Sequence, residues 1–322
     1  MQAHRAPRWL PGGHAQTIWP ALLSRRHLGP PPTFTRERWD TPDGDFIDVD
    51  LQAAADPAAP WLVLFHGLEG SSSSAYAQAF ADTARVRGWH FAVPHFRGCS
   101  GELNRAPRAY HSGDFAEIGW VLQRLRARAA APLRVAGVSL GGNALLRWAQ
   151  EAGDSAAPTA CAVAAVCSPI DLVAGGHALG RGLNRRVYTP MFLRTMKPKA
   201  LAKWDQHPGL FDRERLRAAR TLFEFDDVFT APLHGFRGAL DYWTRASARP
   251  RLAAIRIPAL VLNALNDPFV PAACLPRPHE VGRHVTLWQP PHGGHVGFAS
   301  GRFPGHVVAM PESVTAWLAG HG

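Results

Sequence analysis

Short apolar runs separated by amphipathic stretches set the rhythm of this chain. The runs at 61–65, 89–94, 133–138, 160–167, 259–264 and 285–288 carry few polar residues and are rich in Val, Leu and Ala. Runs of this length and composition predict strands buried on both faces of a sheet. Stretches at about 75–86 and 113–128, another opening near residue 144 and a last one at 307–318 read as helices. For the second of these, Ser112 stands where an N-cap belongs, with Asp114 and Glu117 in the first turn. Strands alternating with helices predict a mostly parallel central sheet flanked by helices on both faces, the α/β class.

Three stretches depart from that rhythm. The alternating runs 36–40 and 46–51 bracket Thr41-Pro42-Asp43-Gly44-Asp45, which predicts an antiparallel hairpin at the start of the sheet. From about 170 to 250 strand-like runs disappear, and helix-like segments near 189–204, 213–225 and 236–246 take over. A helical cap inserted into one domain spanning 1–322 is the reading. Residues 9–23, turn-rich and then apolar, are expected to pack on the main domain as a strap. No internal repeat at solenoid periods is present.

Composition narrows the partners. At 322 residues, with 46% hydrophobic and 19% charged residues, the chain can bury a full core. Its longest apolar run, 160–166, falls far short of the roughly 18 residues that mark a membrane span. Met1 to Arg8 lack the apolar core and cleavage site of a secretory signal, so a cytoplasmic protein is expected. The cysteines Cys99, Cys161, Cys167 and Cys274 form no Cys-x-x-Cys pair, and reduced thiols are expected. The formal charge of +10 prompts a search for a nucleic-acid partner. Only Lys197, Lys199 and Lys203 among the 35 basic residues are lysines, so the excess reads as a compositional bias toward Arg. With no nucleic-acid motif present, no such partner is expected.

The candidate chemistry centres on Gly137-Val138-Ser139-Leu140-Gly141, where a buried-type strand gives way to a helix. A serine on so sharp a turn needs small residues two before and two after it, and its hydroxyl then stands exposed at the sheet edge. A serine hydroxyl is a poor nucleophile unless a base takes its proton and an acid fixes that base. In the order Ser, acid, His, the acid falls on Asp267 in Asn266-Asp267-Pro268, with Asp171 after the preceding strand as the alternative. The base falls on His295 or His292, which spacing alone does not separate. Backbone N–H groups of Leu140, after the serine, and of Leu68, in the Gly-rich loop His66-Gly67-Leu68-Glu69-Gly70, are the candidate oxyanion donors. The reaction class is acyl transfer through an acyl-serine with water as acceptor, using no cofactor and no metal. His66 and His111 have no partner at metal-ligand spacing and read as structural. Asp226 and Asp227 are expected to cap helices or form salt bridges rather than act as an acid–base pair.

The combination of motifs resembles the YheT-like branch of the α/β-hydrolase superfamily, related to embryogenesis-associated esterases of the EMB8 type. It is carried by His14 to Pro20, His66 to Gly70, Phe96 to Glu102, Tyr110 to Gly113, Gly137 to Asn143, Phe225 to Asp227, Thr230 to Pro232, Asn266 to Phe269 and Gly293 to Phe298. The resemblance implies the triad Ser139, Asp267 and His295 and a carboxylesterase acting on short-chain or monoacylglycerol-like esters. Gly12-Gly13 before His14 departs from the Asn-Pro usual in that branch, which leaves the triad untouched.

Other readings stay beside this one. An acyltransferase would use the same triad with a non-water acceptor, and a non-catalytic binding module would lack at least one of its members. The basic and apolar segment 185–199 reads as a cap with solvated arginines, in preference to a surface that meets a membrane.

Overall fold

The strands are β1 (Thr35–Asp40), β2 (Phe46–Gln52), β3 (Trp61–Phe65), β4 (His90–Pro94), β5 (Leu133–Val138), β6 (Ala160–Val166), β7 (Ala259–Leu262) and β8 (Val285–Trp288). They form one sheet in the order β1-β2-β4-β3-β5-β6-β7-β8, in a computed structural model that describes residues 4–321. Met1 to Ala3 of the stretch read for a signal, and Gly322, lie outside the described residues. β2 pairs antiparallel with β1 and β4, and every later pairing is parallel. The hairpin and the α/β class are thus as the apolar pattern predicts.

The helices are α1 (Gly13–Leu22), α2 (Ala75–Val86), α3 (Phe115–Arg126), α4 (Leu140–Ala152), α5 (Leu172–Leu179), α6 (Gly182–Gln206), α7 (Arg213–Ala218), α8 (Leu222–Phe225), α9 (Ala231–Leu233), α10 (Ala239–Ala246) and α11 (Ala309–Ala319). Alternation along each strand feeds two cores, because successive side chains point to opposite faces. Val63, Phe65 and Val135 pack with Ile118, Leu122 and Leu145 of α3 and α4. Leu62, Leu64 and Ala136 pack with Phe80 of α2 and Val314 of α11 on the other face.

Several boundaries differ from the sequence reading. Ser112 does not cap α3; Asp114 does, its carboxylate accepting the Glu117 N–H at 3.4 Å. Ser112 instead receives the Asn143 amide, which also donates to Ala246 O at 2.9 Å and so ties α4 to the end of the helical insertion. α4 starts at Leu140, directly after the candidate nucleophile. The strap 9–23 contains a helix, α1, that a turn-rich opening conceals. α5 through α10 stand between β6 and β7, with one π-helical turn, 226–230, joining α8 to α9. Among the described residues no helix is long and apolar enough to cross a membrane.

Candidate active site

Ser139 joins β5 to α4 with φ 53° and ψ −119°. A non-glycine residue there stores on the order of 1–3 kcal/mol of strain, tolerated only when its surroundings over-determine it. They do: Ser139 N–H donates to Val166 O at 2.8 Å, and Ser139 O accepts from Gly142 and Asn143. A Cβ on Gly137 would meet Gly141 O at 2.6 Å, and one on Gly141 would meet His66 O at 2.4 Å. The two glycines are the condition for this turn.

His295 Nε2 lies 3.0 Å from Ser139 Oγ, and His295 Nδ1 lies 2.9 Å from Asp267 Oδ2. The Asp267 side chain is inaccessible to solvent, and its Oδ1 accepts the Phe269 N–H at 2.8 Å and the Val270 N–H at 3.3 Å. A carboxylate so placed accepts a hydrogen bond from Nδ1–H, which keeps the proton on Nδ1 and leaves Nε2 free to accept from the serine hydroxyl. Of the alternatives, His292 is exposed, and Asp171 caps α5 through the Ala174 N–H at 3.0 Å, facing Arg249. The structure therefore brings Ser139, His295 and Asp267 together, with Asp171 and His292 outside the chain of hydrogen bonds.

Leu68 and Leu140 line the same cavity as Ser139 and His295. The loop of Leu68 presses close, since a Cβ on Gly67 would meet Ser139 Cβ at 3.2 Å. Among the described residues neither the Leu68 nor the Leu140 N–H donates to a protein acceptor. Leu140 also opens α4, where the helix dipole adds positive potential. Glu69, which follows Leu68 in its loop, has φ 58° and is held by one phenol. Tyr110 OH accepts the Glu69 N–H at 3.0 Å and donates to its carboxylate at 2.8 Å. Lys199 of α6 pairs with that carboxylate at 2.9 Å, linking the helical insertion to the loop.

Underneath lies a layer that the sequence reading did not find. Thr17 Oγ accepts the His295 N–H at 2.9 Å, and Gln16 Oε1 accepts the Gly293 N–H at 3.0 Å and the Asn266 side-chain amide at 2.8 Å. Asn266 in turn accepts the Gly294 N–H at 3.0 Å. α1 thus fixes the loops of both Asp267 and His295. The sequence had marked the segment as a strap and His14 to Pro20 as a family motif, without assigning Gln16 or Thr17 a role. His66 behaves as expected of a structural residue: burial pushes it down to about 3, and its Nε2 accepts the Phe96 N–H.

Among the described residues, Cys167, Asp267 and His295 bring three potential metal-ligating atoms within 4.8 Å of one another. Each is already engaged, Cys167 Sγ by the Val296 N–H at 3.3 Å and the other two by each other. A cation there would displace the bond that orients His295. The insertion adds a mostly apolar wall to the cavity, through Leu172, Phe192, Met196, Phe225 and Phe229.

The family model described as alpha/beta hydrolase fold matches residues 60–301. YheT of Escherichia coli (strain K12), which carries an esterase designation, is 39% identical over 312 residues, covering 95% of this chain and 89% of its own. The human phospholipase ABHD3 is 28% identical over 315 residues, covering 94% and 75%. In three dimensions the chain is similar to Est1E from Butyrivibrio proteoclasticus, with a TM-score of 0.56 at 15% identity, covering 89% of this chain and 98% of that one. That last likeness speaks to the fold alone.

Proposed function

The chain belongs to the α/β-hydrolase superfamily, in its YheT-like branch, and from that membership we propose that it hydrolyses carboxylic esters through an acyl-serine at Ser139. The observation that carries the proposal is the unbroken hydrogen-bond chain Ser139 Oγ, His295, Asp267. Ser139 Oγ attacks the ester carbonyl carbon while His295 Nε2 takes its proton. Asp267 holds the ring and stabilises the imidazolium that forms. The oxyanion of the tetrahedral intermediate receives the N–H groups of Leu68 and Leu140; one such donor is typically worth about 3–4 kcal/mol in the transition state. Collapse breaks the bond to the leaving alcohol, which takes the proton back from His295. Water then attacks the acyl-serine by the same route, releasing the acid and restoring the serine.

The apolar wall supplied by the insertion supports an acyl chain as the buried part of the substrate, in short-chain or monoacylglycerol-like esters. Turnover of p-nitrophenyl acetate, butyrate and octanoate by the wild type and by Ser139→Ala tests the proposal. Loss of activity in the variant by about a thousandfold or more is expected. Turnover that survives the substitution would overturn it.

A further inference from the structure

Phe225-Asp226-Asp227 and Thr230 stand out in the sequence and take no part in the serine chemistry. Their two carboxylates part company in the structure. Asp227 meets the expectation of a capping and pairing residue: it accepts the Ala239 N–H at 3.0 Å and pairs with Arg215 at 3.3 Å. Asp226 does not. It opens the π-helical turn 226–230, a rare form of helix that is frequent at functional sites. Its carboxylate accepts from Thr230 Oγ at 2.6 Å and from Trp243 Nε1 at 2.8 Å.

Asp226 lies on the helical wall of the cavity that Ser139 and His295 line from the sheet edge. It is surrounded by protein yet keeps partial accessibility. Phe225, Phe229, Tyr242 and Trp243 line the same wall. Among the described residues no Lys, Arg or His pairs with it, whereas the cavity's other carboxylate, Glu69, is matched by Lys199. Burial pushes the Asp226 carboxyl up to about 6 against its two hydrogen bonds, which leaves it mostly ionised at neutral pH. An ionised carboxylate can accept about four hydrogen bonds, and the protein supplies two. Such a group in an aromatic cavity is costly unless something else donates to it.

We propose that Asp226 is a substrate-reading residue that accepts a hydrogen bond from a donor group, a hydroxyl or a primary ammonium, which the substrate carries away from its ester. This rests on the reading of the cavity as the substrate site. A substrate of this class has an apolar stretch against Phe225 and Phe229 and a polar end at Asp226. A site built around a buried acceptor rejects an isostere that lacks the donor far more strongly than an apolar pocket discriminates by size.

The test separates binding from catalysis. Methyl ketones carry the carbonyl but no cleavable ester bond. Ketones of equal chain length ending in methyl, hydroxyl or ammonium are titrated by calorimetry into Ser139→Ala protein and into the Ser139→Ala, Asp226→Asn double variant. At the length that reaches Asp226, donor-ended ketones are expected to bind about tenfold tighter than the methyl-ended one. The double variant is expected to lose that preference. A larger gain for ammonium than for hydroxyl identifies recognition of charge, and equal gains identify a neutral hydroxyl. The proposal is overturned if the methyl-ended ketone binds as well at every length, if no ketone binds, or if the preference survives Asp226→Asn. The first comparison lies within protein that keeps Asp226, so it stands even if the double variant misfolds. Turnover of p-nitrophenyl butyrate by the wild type is scored separately, and its failure would count against the ester reading alone.

Discussion

Thr17 of the first helix accepts the backbone N–H of His295 at 2.9 Å while donating its own hydroxyl proton to Gly13 O at 2.8 Å. The base of the proposed mechanism is thus positioned by a residue 278 positions earlier in the chain. Thr17→Val keeps the shape and removes the acceptor, leaving the His295 N–H without a partner. We expect kcat to fall about 10- to 100-fold with KM little changed, because a small displacement of a reacting group is enough to cost that much. Steady-state kinetics on p-nitrophenyl butyrate check this, and an unchanged kcat would show that α1 has no hold on the base.

Asp267 and Asp171 offer a direct contrast. Asp267→Asn keeps the volume but reverses the hydrogen-bond preference at His295 Nδ1, and turnover is expected to drop about 10⁴-fold. Asp171→Asn touches only the cap of α5 and the Arg249 pair, so activity within about twofold of the wild type is expected, with a small loss of melting temperature. The reverse ranking would reassign the acid.

Arg97 is buried between carboxylates, with Asp45 at 2.6 Å, Glu117 at 2.6 Å and Asp43 at 2.9 Å. Burial opposes the charge on Asp45, but hydrogen bonds from Asn104, Arg105 and Arg97 hold it down at about 2. Burial and the neighbouring Asp114 push Glu117 the other way, up. Arg97→Met would strand these acids, and a loss of about 3–5 kcal/mol in urea unfolding is expected. A loss below about 1 kcal/mol, the ordinary range for a surface pair, would contradict the account of a buried network.

Asp226 gives a pH dependence of stability with a defined sign. Its folded value of about 6 lies above its unfolded value, so the native state binds the proton more tightly. The neutral carboxyl is tolerated at low pH, and a destabilising charge appears as pH rises through that value. Asp226→Asn, which cannot ionise, should therefore gain stability relative to the wild type as pH goes from about 4 to about 7. Melting curves across that range check it, and a constant difference would contradict it.

The sequence made legible what depends on local pattern. The six later strands were visible as apolar runs and the first two as an alternating hairpin, and Gly137 and Gly141 announced the turn at Ser139 because only small residues permit that approach. The spatial partners of Asp267 and His295 were legible only as an order along the chain and a family resemblance, since spacing does not choose between His295 and His292. What stayed hidden was long-range. Gln16 and Thr17 act through hydrogen bonds to the loops of residues 266 and 293–295, which no local pattern encodes. Asp226 looked like a cap or a salt-bridge residue, because burial beside Trp243 is a property of how α8 and α10 meet. The N-cap of α3 moved from Ser112 to Asp114 because Asn143 engages Ser112 from another element.

The central claim is that Ser139 is the residue that becomes acylated. The most direct measurement is peptide mapping by mass spectrometry of the wild-type chain after reaction with a fluorophosphonate, with ester turnover followed in the same sample. The expected result is a single adduct on Ser139 that forms in step with the loss of turnover and is absent from Ser139→Ala. An adduct on another serine, or full turnover with Ser139 modified, would contradict the account.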